Sequence, residues 1–245
     1  MHSSYDNTLD RRQWLALGFP FFFWRKRGIR LEGARFEILR HGAARRVFLH
    51  IHGNEETARG VLRAHLKTHT GTAYLIRGDK RNVPADSGQL DPNRMFSRDG
   101  AQKNLRALNK TWSEEQIRSV LDKLDRGRER LVRALLPANG RLLMAVHNNS
   151  EGYSVRDEVP ISDRVWLPEP DHPHEFFLCT QTEDFETLSK SPYNAALQNT
   201  APPDDDGSLS RLAAKRGARY LNLECALGNA ARQREMLEWA DSHLR

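Results

Sequence analysis

Residues 48–58 read FLHIHGNEETA. The pattern places His52 at the end of an apolar strand, a Gly53-Asn54 turn after it, and Glu55 at the start of a helix. Three residues apart across a tight turn, the imidazole and the carboxylate can converge on one ion. Both are ligand types that suit Zn²⁺. The H-x-x-E pattern is weak alone, and the chain carries a second copy, His172 to Glu175 in DHPHEF. That copy lies in a Pro-broken stretch before a strand and reads as a solvated loop. His147 adds to the first copy, because it too closes a buried apolar run, RLLMAV at 141–146. Two His and one Glu at strand ends leave a fourth position on a tetrahedral zinc open, which is the catalytic form of such a site. His50 shares alternation with His52 and reads as a supporting or core histidine.

Glu224 sits inside RYLNLEC at 219–225. A carboxylate in an apolar strand is costly unless it faces a polar cavity or is paired. It is therefore a candidate general base. Cys225 follows and should point to the other face, into packing. In DPNRMFSR at 91–98, Asn93 and Arg94 stand side by side. A guanidinium fork can grip a carboxylate there.

The elements that must position these residues alternate between strand and helix. Strands are expected at 34–40 and 45–51 around a His41-Gly42 turn, then at 72–76, 141–146, 164–168, 175–180 and 219–225. Helices are expected at 55–68, near 183–190, at 208–216 and at 229–243. The strongest helix is 113–136, with a Ser113/Gln116 capping box and one apolar stripe from Ile117 to Leu135. Residues 78–97 read as a long polar loop. The alternation argues for an α/β fold with a mixed, mostly parallel central sheet and helices on both faces. Ligand sites in such sheets gather at the carboxyl ends of strands.

The chain has 245 residues, which fits a single domain at 34–245 behind an arm at 1–33. Lys and Arg total 38 against 32 Asp and Glu, so the surface favours acidic partners. Two cysteines exclude a disulfide scaffold and a Cys-rich zinc site. Residues 11–27 read RRQWLALGFPFFFWRKR. The uncharged run is too short for a transmembrane helix of about 20 residues, so no stable span is expected. It resembles a signal h-region but lacks a small-x-small cleavage site. An arm covering a sheet edge or an interfacial anchor fits as well. Export is slightly favoured over the cytoplasm. No RNP-like, helix-turn-helix or zinc-finger pattern is present, so nucleic acid is not an expected partner.

Taken together, HGNE at 52–55, NR at 93–94, His147 and Glu224 resemble the zinc carboxypeptidase superfamily. The order and spacing are similar to its short members, near the murein-peptide hydrolase and the aspartoacylase/succinylglutamate desuccinylase branches. The resemblance runs from about residue 34 to 243. It implies a carboxypeptidase-like fold and a Zn²⁺ cofactor held by His52, Glu55 and His147. It also implies Glu224 as general base and then acid, and Asn93 with Arg94 holding a substrate carboxylate. An arginine that polarises the scissile carbonyl is implied too. Arg77 and Arg81 compete for that role, and Arg81, in the polar loop, is preferred. The superfamily's mobile tyrosine has no clear counterpart among Tyr153, Tyr193 and Tyr220; Tyr153 fits a pocket wall.

The expected activity is zinc-dependent amide hydrolysis on a carboxylate-bearing substrate. A metallopeptidase acting on cell-wall peptide is the first form of that expectation, since a basic surface and a signal-like start suit an anionic exported polymer. A cytoplasmic deacylase of N-acyl amino acids is the alternative. A non-catalytic protein that binds metal or anions is the third, against which the intact Glu224 counts.

Overall fold

The computed structural model describes residues 28–43, 46–136, 140–150 and 152–244. The signal-like run at 11–27 lies outside them. Among these described residues eleven strands form in chain order: β1 (Ile29–Leu31), β2 (Ala34–His41), β3 (Val47–His50), β4 (Gly71–Ile76), β5 (Val83–Ala85), β6 (Gly88–Leu90), β7 (Leu143–Asn149), β8 (Arg164–Trp166), β9 (Phe176–Cys179), β10 (Asn194–Leu197) and β11 (Tyr220–Ala226). The helices are α1 (Glu56–His65), α2 (Arg98–Leu108), α3 (Glu114–Leu135), α4 (Val155–Glu158), α5 (Thr182–Leu188), α6 (Leu209–Lys215) and α7 (Ala230–His243). No helix among the described residues is long and apolar enough to cross a membrane.

Nine strands build one sheet in the order β1-β2-β4-β3-β7-β11-β9-β10-β8. Its centre, β4-β3-β7-β11, is parallel throughout. Antiparallel pairs flank it, so that β2, β9 and β10 run against the other six strands. The fold is therefore mixed α/β with a mostly parallel sheet, as expected.

Alternation along the central strands divides the core into two layers. Leu143 and Ala145 of β7, with Tyr220 of β11, pack under α2, α3 and α6. Met144 and Val146, with Leu221, Leu223 and Cys225, pack under α1, α5 and α7. Cys225 thus points away from Glu224's face, and both Cys179 and Cys225 are buried free thiols. The α3 stripe from Ile117 to Leu135 is buried, and its Ser113/Gln116 box closes with both reciprocal hydrogen bonds.

Several local expectations change. β2 and β3 are consecutive in sequence yet not neighbours, because β4 inserts between them. The polar 78–97 stretch contains the β5–β6 hairpin and a 3-10 turn at Pro92–Arg94. Among the helices and strands that were not foreseen are α2, α4 and β10. α2 buries only Gly100, Ala101 and Leu105, too few apolar residues for a clear stripe. β10 is a four-residue strand. The helix at 209–215 is capped by Ser208, whose side chain accepts from the Arg211 N–H. The sheet starts at Ile29, ahead of the expected 34.

Candidate metal centre and cleft

The carboxyl ends of β3, β7 and β11 open on one cleft of about 560 Å³. The side chains assigned to the metal, the chemistry or the substrate all line it: His52, Glu55, Arg81, Asn93, Arg94, His147, Tyr153 and Glu224. Arg77 does not; it is exposed, and its backbone N–H pairs with Arg35. Of the two competing arginines, only Arg81 reaches the cleft.

The HGNE segment is shaped by backbone geometry. β3 ends at His50, and the chain turns so that the Glu55 N–H donates to the His52 carbonyl at 3.2 Å. Gly53 lies against the 78–80 segment, donating to the Lys80 carbonyl at 3.1 Å. A Cβ at this position would come within 2.6 Å of that oxygen, so the turn requires glycine. Glu55 then caps α1. His50 points into the core, its Nε2 at 2.9 Å from the Glu55 carbonyl, and burial pushes it down to about 4.

His147 lies two residues before the end of β7, which runs on to Asn149. Its placement beside Glu224 follows from register: the two residues are direct partners on adjacent parallel strands. Asn148 fixes this end of the sheet. Its amide accepts from the Ala58 N–H at 2.8 Å and donates to the Cys225 carbonyl and to Gln233. Gln233 in turn donates to the His147 carbonyl at 2.7 Å.

His52, Glu55 and His147 are all buried, and one donor atom from each lies within 4.8 Å of the others. His52 Nδ1 is 2.6 Å from Glu55 Oε1, and His147 Nδ1 is 3.2 Å from Glu55 Oε2. Despite that proximity, Glu55 Oε2 has no hydrogen-bond partner. A buried, unpartnered carboxylate oxygen beside two imidazoles fits a metal ion. Two imidazoles and one carboxylate form a donor set that suits zinc.

Asp91, which the sequence reading missed, supports this arrangement. Its Oδ1 lies 2.9 Å from His52 Nε2. A carboxylate on the far nitrogen is what orients metal-ligating histidines and fixes their tautomer. Asp91 is itself held by the Asn93 N–H at 2.8 Å and by Arg81 Nη2 at 3.2 Å. Arg81 also approaches Glu55 Oε1 at 3.6 Å.

The electrostatics of the metal-free cluster follow from these contacts. Burial alone would lower the His52 pKa, but its bonds to Asp91 and Glu55 outweigh that and raise it to about 9. Burial would raise Glu55 and Asp91. Instead, His147 and His52 hold the Glu55 carboxyl well below the usual carboxylate range, and His52 with Arg81 does the same for Asp91. Glu224 behaves oppositely. Fully buried, with Glu55 nearby, it is pushed up to about 7, although His147 and an Asn222 amide donating at 3.0 Å oppose the rise.

Asn93 Oδ1 accepts from the Leu209 N–H at 3.1 Å, which fixes its side-chain amide at the cleft wall. Arg94 is half-buried and 3.6 Å from Asp206. Gly207 makes room for this corner: its φ is +78°, and a side chain there would strike the Arg94 carbonyl and Gly100. The opposite wall is a hydrogen-bonded chain. Tyr153 OH donates to Glu158 at 2.6 Å, Gln198 donates to Glu158 at 2.5 Å, and Arg211 donates to Gln198 at 2.9 Å. Arg211 Nε is buried and unpartnered. Glu158, Gln198 and Arg211 were not foreseen: Glu158 ends the four-residue α4 and Gln198 follows the short β10, neither of them expected, and Arg211 lies on the expected 208–216 helix with no motif around it. Of the other tyrosines, Tyr220 lines the cleft floor, whereas Tyr193 packs in the layer under α1, α5 and α7.

No family model and no curated protein matches this sequence. Among solved structures, the chain is similar to a succinylglutamate desuccinylase from Silicibacter sp. TM1040. That match has a TM-score of 0.44 and 15% identity, covering 86% of this chain and 60% of the other. It is also similar to a succinylglutamate desuccinylase/aspartoacylase from Rhodobacter sphaeroides, with a TM-score of 0.43, 14% identity, and coverage of 86% and 58%. The chain spans about three fifths of the length of these structures. The functional reading therefore rests on the site itself.

Proposed function

We propose that this chain is a zinc-dependent hydrolase that cleaves the amide bond of a small N-acyl amino acid bearing a free carboxylate. The observation that carries the reading is the meeting, in one cleft, of the His52–Glu55–His147 donor set with Glu224, a buried carboxyl poised near 7.

His52, Glu55 and His147 would hold the zinc. When bound, zinc supplies Lewis acidity and a water that ionises near neutral pH. Glu224 accepts the proton of the attacking water as the new C–O bond forms. It then passes that proton to the amide nitrogen as the C–N bond breaks, releasing an amine and a carboxylic acid. A pKa near the working pH suits both transfers. Asn93 and Arg94 grip the substrate carboxylate and convert that binding into orientation at the carbonyl. Arg81 stabilises the oxyanion.

A small substrate is preferred for the shape of the cleft. Its volume of about 560 Å³ lies in the usual range for small-molecule sites, about 300–1,000 Å³. The Tyr153–Glu158–Gln198–Arg211 wall bounds it. The cell-wall reading leaned on net charge and on residues 11–27, and draws nothing from the cleft.

The test is to offer zinc-loaded wild type and Glu224→Gln a panel of N-acyl amino acids and cell-wall peptides, measuring released amine. Wild type should cleave N-acyl amino acids, and Glu224→Gln should keep its zinc while losing about 10²–10⁴-fold in kcat. Cleavage of peptides alone would transfer the assignment to the peptidase. Turnover of neither class would refute the hydrolase.

A further inference from the structure

The sheet edge at β1 carries a row of arginines that the cleft does not use. β1 lies against β2, and β2 against β4. Arg30 on β1 is the direct partner of Arg35 on β2. The β2–β4 ladder sets Phe36 opposite Ile76, and one step further the Arg77 N–H donates to the Arg35 carbonyl at 2.7 Å. Arg30, Arg35 and Arg77 therefore stand side by side across neighbouring strands. Alternation puts them on one face of the sheet, opposite to Leu31, Phe36 and Ile76 in the core. All three are exposed.

Helix α3 brings more charge to this edge from the other face. Leu31 packs so close to Gly127 that a Cβ there would come within 2.6 Å of it, and Arg130 donates to the Arg30 carbonyl at 3.2 Å. Arg126, Arg130 and Arg133 recur at i, i+4 and i+7, exposed on the side of α3 away from its buried stripe. Like charges directly opposite each other on adjacent strands destabilise a sheet. Yet Arg30, Arg35 and Arg77 form no ion pair among the described residues. Nearby acids are committed to other partners, Glu37 to Arg63 and Glu129 to Arg216. Glu32, in the β1–β2 turn, is outnumbered.

β1 is also where residues 11–27 join the fold, since Gly28 follows Arg27 directly. Their sequence sets an uncharged run, bracketed by Trp14 and Trp24, between Arg11-Arg12 and Arg25-Lys26-Arg27. Such a run is too short to span a bilayer and suits its interface, where tryptophan is enriched. A short apolar anchor holds weakly alone, and firmly when basic side chains add attraction to anionic headgroups. Both signals meet at one edge of this protein. Nucleic acid would engage the arginines but leave the apolar run without a role.

We propose that this edge docks the protein on an anionic lipid surface. Residues 14–24 are the apolar anchor, and the arginines around β1 contact the headgroups. The inference is independent of the chemistry in the cleft.

The experiment is co-sedimentation of the full chain with phosphatidylcholine vesicles and with mixed phosphatidylcholine/phosphatidylglycerol vesicles. Binding should be at least about 10-fold tighter to the mixed vesicles and should weaken as salt is added. Arg30→Gln/Arg35→Gln/Arg77→Gln should lower the partition coefficient about 10–100-fold. Its Tm should not fall, because the substitutions relieve like-charge neighbours. Arg126→Gln/Arg130→Gln/Arg133→Gln, on an outward helix face, should lower binding in the same way. Lys67→Gln/Lys190→Gln/Arg234→Gln removes equal charge from exposed positions elsewhere and should bind like wild type. Phe21→Ser/Phe22→Ser/Phe23→Ser should weaken binding with Tm unchanged. Failure of wild type to bind mixed vesicles, equal binding to neutral ones, or equal losses in the control variant would each overturn the proposal. Preference for a DNA duplex over mixed vesicles would also overturn it.

Discussion

The chain carries H-x-x-E twice, and the two copies make the same local turn. The Glu55 N–H donates to the His52 carbonyl at 3.2 Å, and the Glu175 N–H to the His172 carbonyl at 3.3 Å. Burial does not separate the carboxylates, since Glu55 is 3% exposed and Glu175 7%. The copies differ in where the turn sits. His52 follows β3, at the carboxyl end of a parallel trio, and faces His147 and Glu224 from the next two strands. His172 precedes β9, is exposed, and lines no part of the cleft. The spacing provides a turn; only the strand ends around it provide a site.

The largest expected difference is metal occupancy. His52→Ala should cost most of the zinc bound in the cleft and more than about 10³-fold in activity, because loss of a ligand removes the activated water. His172→Ala should leave zinc and turnover unchanged and shift stability by less than about 0.5 kcal/mol, as for other exposed positions. Elemental analysis and amine release on both variants check the pair. Equal losses in the two would mean that the copies do not differ in function.

The comparison sharpens at Glu224, whose pKa of about 7 arises where the three strand ends converge. An ordinary glutamate titrates near 4.5. Between these values the folded protein binds a proton that the unfolded chain releases, so metal-free stability falls as pH rises through the window and levels off above it. Glu224→Gln cannot ionise and escapes that fall. Its stability relative to wild type should be near zero below pH 4.5 and reach about 3 kcal/mol above pH 7. Urea unfolding of metal-free wild type and variant at pH 5 and pH 8 measures it. Parallel curves at both pH values would mean that convergence does not strain this carboxyl.

How much of this could be read from the residues depended on range. β7 and β11 were legible because buried parallel strands read as apolar runs, and Glu224 was conspicuous as a carboxylate within one. That Glu224 pairs with His147 was not legible. Register between strands some seventy residues apart is set by the packing of both sheet faces, not by either segment alone. α2 was hidden by its few apolar contacts, although Ser97, which accepts from the Gly100 N–H, marks its start. Asp91 looked like an ordinary loop acid. Its one local signal was its place before Pro92, where its side chain accepts from the Asn93 N–H and caps the 3-10 turn.

Asp91 also offers the finest division between the two copies, because His172 has no hydrogen-bonded side-chain partner among the described residues. If the strand ends make the site by supplying oriented partners, removing the carboxylate behind His52 should weaken the metal without deleting a ligand. Asp91→Asn keeps the size and the cap to Asn93 but loses the negative charge facing His52 Nε2 and Arg81. Loss of such an outer partner commonly costs about 10–100-fold in metal affinity or activity. The effect should appear first in zinc affinity, measured by competition with a chromophoric chelator. In variants saturated with zinc, KM should change little, since Asp91 is not expected to touch substrate. A zinc affinity equal to wild type would show that His52 is positioned by its turn alone, and the distinction between the copies would then rest on His147 and Glu224.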